Sequence, residues 1–170
     1  MSPSTTRDTA VKWTAYGAAC LLLLFAHALT LSRLRVWGVE PFLPPLLPAV
    51  IASMEDRLEG VVFALAFGVL CDLALTAPLP CLYTLAFPLA ALLASLLAKS
   101  VLQPGLLCSL AVSAAAFLTV DLIAAAALLS GGHAAVSAIA LRAARELLAS
   151  LPLLVVCHPL LSFLHRKFTL

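Results

Sequence analysis

Charged side chains are scarce in this chain. Only 11% of its 170 residues are Asp, Glu, Lys or Arg, against about a quarter in ordinary globular domains. Hydrophobic residues reach 64%, and the mean hydropathy is +1.13. This composition leaves too little polar surface to cover a soluble fold of this size, so it predicts an integral membrane protein.

Other absences narrow the functional classes. The net charge is only +2, and no basic run is longer than His165-Arg166-Lys167, so nucleic-acid binding is not expected. The chain has no Gly-x-Ser-x-Gly elbow, no His-Glu-x-x-His pair and no Gly-rich phosphate loop. Its five cysteines stand singly, which is typical of buried free thiols. We therefore expect no enzyme, no catalytic residue, no metal site and no cofactor.

Apolar runs separated by polar or Pro-rich turns predict an all-α, polytopic membrane bundle of about six transmembrane helices. A polar tail, residues 1–12, is expected to precede a single transmembrane domain, residues 13–167. The predicted helices are 13–31, a short second helix ending near residue 54, 59–76, 81–98, 106–129 and a last segment within 134–164.

Two segments depart from a simple apolar span. Residues 41–48 hold four prolines, which predicts an irregular start to the second helix; such backbone survives in a bilayer only where protein neighbours satisfy it. Residues 134–149 carry Arg142, Arg145 and Glu146, which predicts an interfacial helix or a long, protein-facing lead-in. Residues 150–164 are apolar but short, so they can span only if joined to part of that segment or if the bilayer thins locally.

Six spans place both termini on one side of the membrane. By the positive-inside rule, that side is expected to be cytoplasmic, because it collects more basic residues than the other. These residues are Arg7, Lys12, Arg57, Lys99, Arg166 and Lys167. The opposite side receives Arg33 and Arg35, and also Arg142 and Arg145 if their segment lies there.

The third predicted helix, residues 59–76 (EGVVFALAFGVLCDLALT), contains the candidate site. Gly60, Ala64, Gly68 and Asp72 recur every fourth residue and therefore share one face. A stripe of small residues allows close backbone contact between helices in a membrane. We interpret the stripe, with Glu59 at its start, as a helix-packing and partner-assembly surface.

The two acids of this helix have separate roles. Thirteen residues at ~1.5 Å each place Glu59 and Asp72 roughly 20 Å apart, so they cannot form a catalytic pair. Asp72 can be a helix-end acid that is solvated or caps the turn before the fourth helix. Alternatively, it faces the bundle interior and fixes a polar contact with another helix or a partner protein. Both interpretations remain open from the sequence.

The order of these features resembles the rod shape-determining protein MreD family. The resemblance rests on the Pro-rich segment from Pro41, on Glu59-Gly60 and on Gly68-x-Leu70-x-Asp72. Its specific part covers about residues 41–83, within a broader similarity over residues 13–167. The chain departs from the family after Asp72, where Ala77-Pro78-Leu79-Pro80 replaces the usual Gly-containing turn.

The resemblance implies a non-enzymatic component of the bacterial cell-wall elongation machinery. Such a protein would lie in the inner membrane and assemble with an MreC-like membrane protein, near MreB filaments, RodA and its penicillin-binding partner. The family fold is similar to the six-helix substrate-binding subunit of energy-coupling-factor transporters. An alternative function is therefore a small-molecule (vitamin-like) binding membrane subunit. The low aromatic content, 7%, disfavours the aromatic-lined pocket that such a subunit needs.

Overall fold

The computed structural model describes residues 6–30, 37–77, 79–100, 105–130 and 136–169. Within these ranges the chain forms six α-helices, which confirms the predicted helical membrane bundle. They are α1 (Thr6–Leu29), α2 (Leu46–Met54), α3 (Arg57–Ala74), α4 (Leu82–Ser100), α5 (Leu106–Ser130) and α6 (Val136–Thr169). Four of them, α1, α4, α5 and α6, are long and apolar enough to cross a membrane.

Successive helices run in alternating directions. Lys12 near the start of α1 contacts Glu55 at the end of α2, and Lys99 at the end of α4 lies 3.5 Å from Asp56. His165 near the end of α6 also contacts Glu55. The start of α1 and the end of α6 therefore lie at one end of the bundle, which we call the polar end.

The short helix α2 lies in the centre of the bundle and packs against α3, α4, α5 and α6. Its residues from Leu46 to Ala52 are all buried. Nine residues at ~1.5 Å each cover only about 14 Å, less than half of the ~30 Å hydrocarbon core. Helix α2 alone is therefore too short to cross the hydrocarbon core.

Protein groups satisfy the irregular backbone of the Pro-rich segment before α2, as expected for non-helical chain at membrane depth. The Phe42 N–H donates a hydrogen bond to Ser150 Oγ of α6 at 2.8 Å. Ser150 in turn donates to the Glu146 carbonyl at 2.7 Å and is fully buried. The predicted irregular start of the second helix is therefore enclosed by protein.

The structure changes two predicted boundaries. Helix α1 begins at Thr6, so the second half of the predicted tail, residues 1–12, is helical; residues 1–5 lie outside the described ranges. Helix α6 is one continuous helix of 34 residues that passes through Pro152 and Pro159. The last span is thus joined to the segment that carries Arg142 and Arg145, which is a lead-in rather than a separate interfacial helix. Both arginines are exposed, so the prediction that this lead-in faces protein is wrong for them. Continuity is possible because prolines are tolerated in membrane helices whose freed carbonyls find other donors.

Candidate functional site

The stripe on α3 faces the interior of the bundle. Gly60, Ala64 and Gly68 are all buried. A Cβ atom added to Gly60 would lie 2.7 Å from Ala52 Cα of α2, and one added to Gly68 would lie 2.5 Å from the Tyr83 carbonyl oxygen of α4. Both distances are shorter than real Cβ contacts, so the two glycines allow α3 to touch its neighbours backbone to backbone.

This placement shows which helices the stripe contacts. Helix packing occurs along it, but the neighbours are α2 and α4 of the same chain. The stripe is filled in the folded monomer, so it is not a free surface for another protein. Any protein that binds this chain would have to contact other faces of the bundle.

Asp72 continues the stripe and caps the next helix. Its Oδ1 accepts a hydrogen bond from the Tyr83 N–H at 3.0 Å, and its Oδ2 accepts from the Thr84 N–H at 2.8 Å. The Thr84 hydroxyl donates to the same Oδ2 at 2.6 Å. These N–H groups belong to the first turn of α4, where donors have no intrahelical acceptor and a negative charge is favourable. Of the two interpretations of Asp72, helix capping and a polar contact between helices, the structure combines both.

The turn that brings α4 to Asp72 is tight. Cys81, directly before α4, has a φ of +59°, a left-handed conformation that favours glycine. Asp72 stabilises this turn because it accepts hydrogen bonds from the N–H groups of the second and third residues of α4.

We predict that Asp72→Asn destabilises the bundle by about 1 kcal/mol, the typical cost of losing a helix cap. The amide group would turn an N–H₂ donor towards either Tyr83 or Thr84, both of which already donate to Asp72. Equilibrium unfolding in mixed detergent micelles measures the effect. Asp121→Asn, which changes an acid within α5 rather than at a helix start, is the control and is expected to cost less. Equal losses from both variants would contradict the capping role.

A second polar cluster lies at the polar end and is centred on Glu55. Its Oε2 lies 2.8 Å from Lys12 Nζ, and its Oε1 accepts a 2.8 Å hydrogen bond from the Tyr16 hydroxyl. His165 Nδ1 lies 3.1 Å from the same Oε1. The Glu55 side chain is only 7% exposed, so this carboxylate joins α1, the end of α2 and α6 inside the protein.

The contacts of Glu55 determine its charge. Burial raises the pKa of this carboxyl, but the hydrogen bonds with Lys12, Tyr16 and His165 outweigh burial and hold the pKa below its usual range. Glu55 is therefore ionised at neutral pH. Glu59 lies at the margin of the cluster, 3.4 Å from Lys12 Nζ, with its side chain 43% exposed.

Sequence reasoning missed Glu55. It stands beside Asp56 and Arg57 in a short polar turn, which looks like an ordinary solvated helix end. A usable signal was present in α1, where Lys12 and Tyr16 lie four residues apart and so share a face. A lysine and a tyrosine on the face that leads into the buried residues Cys20 and Leu24 require a polar partner.

A polar cleft opens beside this cluster, between the ends of α2, α4 and α6 and the start of α5. Its volume is about 260 Å³. Ser109 of α5 and the α6 residues His158, Ser162 and Arg166 line it. Ser109 Oγ lies 2.8 Å from His158 Nδ1, and Ser162 Oγ lies 3.5 Å from His158 Nε2.

The predicted site residues thus form two groups. Gly60, Ala64, Gly68 and Asp72 share the interface of α3 with α2 and α4, whereas Glu59 belongs to the Glu55 cluster at the polar end. Among the described residues, no group of three or more His, Cys, Asp or Glu residues is placed to hold a metal ion. Comparison of the chain with protein-family models, curated proteins and solved structures found no match.

Proposed function

We propose that the chain is a non-enzymatic, MreD-like component of the bacterial cell-wall elongation machinery. In this proposal it lies in the inner membrane and assembles with an MreC-like membrane protein, near MreB filaments, RodA and its penicillin-binding partner. The supporting observations are the helical membrane fold, the run of residues that resembles the family and the structural use of that run.

One observation carries the proposal. Three residues of the resembling run have a packing or capping role: Gly60 and Gly68 allow close helix contact, and Asp72 caps α4. Such residues build a rigid bundle and act on no substrate. A rigid membrane bundle whose polar groups are engaged in its own fold suits a scaffold.

The proposed orientation places the polar end in the cytoplasm. Among the described residues, this end carries most of the basic side chains of the loops and helix ends, as the positive-inside rule expects of a cytoplasmic side. They are Lys12, Arg57, Lys99, Arg166 and Lys167. In this orientation both the start of α1 and the end of α6 are available to cytoplasmic partners.

The outer face of α1 is the proposed contact for a partner helix. Helix α1 buries one stripe, which includes Tyr16, Cys20 and Leu24, and only 17% of its spanning window is buried inside the chain. Its other face exposes large apolar side chains, among them Leu22 at 70% and Phe25 at 64%. Lipid covers this face in the isolated chain, and another helix can replace lipid there without disturbing the stripe on α3.

Affinity purification of the tagged full-length chain from native membranes, followed by mass spectrometry, tests the proposal. We expect enrichment of an MreC-like protein and wall-synthesis proteins over a control purification with an unrelated tagged membrane protein. Recovery of a pair of transporter ATPases with a membrane coupling subunit would contradict the proposal and would favour the small-molecule-binding alternative.

A further inference from the structure

The cleft at the polar end has the chemistry of an anion site. Its lining side chains include Arg166, His158 and His165 together with the hydroxyls of Ser109 and Ser162, and none of the described lining residues is acidic. Glu55, an acid that contacts the lining residue His165, is engaged by Lys12 and Tyr16 as well as by His165. The charged side chain that lines the cleft, Arg166, is therefore positive.

The Ser109–His158 pair presents a donor in either histidine tautomer. If the proton is on Nδ1, that N–H donates to Ser109 Oγ across 2.8 Å and leaves the serine hydroxyl free to donate. If the proton is on Nε2, the serine donates to Nδ1 and the Nε2 N–H points towards Ser162, 3.5 Å away. Arg166 adds a guanidinium, whose fork of N–H groups matches phosphate oxygens.

The amino-terminal end of α5 adds to the positive potential of the cleft. The cleft is lined by Gly105 and Cys108 at the start of α5, and the amino-terminal end of a helix carries a partial positive charge that favours anions. The position is also suitable for lipid, because the cleft lies at the end of the bundle, where headgroups of the bilayer are found. We infer that this cleft binds a phosphate group, presented either by the headgroup of an anionic phospholipid or by a free phosphate ion.

This inference does not depend on the proposed function, because it rests only on the cleft. The test uses the purified full-length protein in dodecyl maltoside, with thermal unfolding as the readout and ionic strength held constant with chloride. One arm titrates dioctanoyl phosphatidylglycerol, and the other titrates inorganic phosphate. We expect at least one arm to raise the unfolding temperature saturably; the arm that does so identifies the source of the phosphate.

Two variants and one control locate the binding. Arg166→Gln and Ser109→Ala are expected to weaken the saturable effect at least tenfold. Lys167→Gln removes the neighbouring exposed charge, which does not line the cleft, and is expected to change affinity less than twofold. The unfolding temperature of each variant without ligand shows whether that variant folds. If Arg166→Gln does not fold, Ser109→Ala, which leaves the net charge unchanged, still tests the site.

Two outcomes would overturn the inference. One is the absence of a saturable shift in both arms. The other is an equal loss in Arg166→Gln and Lys167→Gln with no loss in Ser109→Ala, because that pattern describes diffuse attraction of anions to a basic surface.

Discussion

Replacing Glu55 with glutamine is expected to lower the free energy of unfolding by about 3 kcal/mol, near the lower end of the range for breaking a buried ion pair. The substitution leaves Lys12, whose side chain is 17% exposed, without its closest counter-charge. The glutamine amide keeps a single oxygen. If that oxygen accepts from Tyr16 and His165, the amide N–H₂ donor faces the Lys12 ammonium, so one of the two sets of contacts is lost. The loss stays at the lower end because Glu59 remains 3.4 Å from Lys12 Nζ.

Glu59→Gln is the matched control, since both acids pair with the same lysine. The Glu59 side chain is 43% exposed, so its pair with Lys12 is worth at most about 1 kcal/mol. Equilibrium unfolding in mixed micelles measures both variants. The double variant Lys12→Met, Glu55→Gln is expected to recover part of the stability, because the unpaired buried charge is gone. Similar losses from Glu55→Gln and Glu59→Gln would refute the central place of Glu55.

The lowered pKa of Glu55 determines how the stability difference between the wild type and Glu55→Gln depends on pH. A carboxyl whose folded-state pKa lies below its unfolded value stabilises the fold fully above the unfolded pKa, which is about 4.3 for glutamate. That contribution is lost as the pH falls through the folded-state pKa. The contribution that Glu55 ionisation makes to the free energy of unfolding should therefore stay constant from neutral pH down to about pH 5 and shrink in stronger acid.

Alanine substitutions at two glycines are expected to have opposite signs. Gly68→Ala would place its Cβ 2.5 Å from the Tyr83 carbonyl oxygen and 3.0 Å from Thr84 Cα. Both are backbone atoms, so α3 and α4 must separate, at a cost of about 1–3 kcal/mol or more. A Cβ at Gly17 of α1 meets no atom within 4 Å, so Gly17→Ala should stabilise α1 by about 0.5–1 kcal/mol.

The same two variants test where the stripe acts. Unfolding measurements on the purified chain, with no partner present, should already show the full loss in Gly68→Ala, because the contact lies within the chain. A Gly68→Ala protein as stable as wild type that nevertheless fails to co-purify its partner would contradict the internal packing and restore the stripe as a surface for assembly.

The sequence determines the helices better than it determines their neighbours. Long apolar runs bounded by Pro, Gly and charged residues predict the bounds of α4 and α5 to within two residues. Such runs form helices because a membrane-spanning segment must satisfy its backbone hydrogen bonds internally. The interval of four residues between Gly60, Ala64 and Gly68 correctly predicts that they share one face of α3. Periodicity cannot say what that face touches, so contact with α2 and α4 required the tertiary structure.

The errors have physical causes. Arg142 and Arg145 left two interpretations open, an interfacial helix or a lead-in to the last span, and α6 is one continuous helix that includes both residues. At ~1.5 Å per residue its 34 residues reach roughly 51 Å, longer than the ~30 Å hydrocarbon core. Glu55 was missed because its partners Lys12 and His165 are distant in sequence and meet only in the folded bundle.

Depletion of this chain in its host, with cell width and length followed by microscopy, tests the proposed function most directly. The proposal predicts that rod-shaped cells round up on depletion and that the wild-type gene restores their shape. Gly17→Ala is expected to restore shape as well, whereas Glu55→Gln is expected to restore it less well because less of that protein is folded. Cells that keep their rod shape on depletion while losing uptake of a small molecule would contradict the proposal.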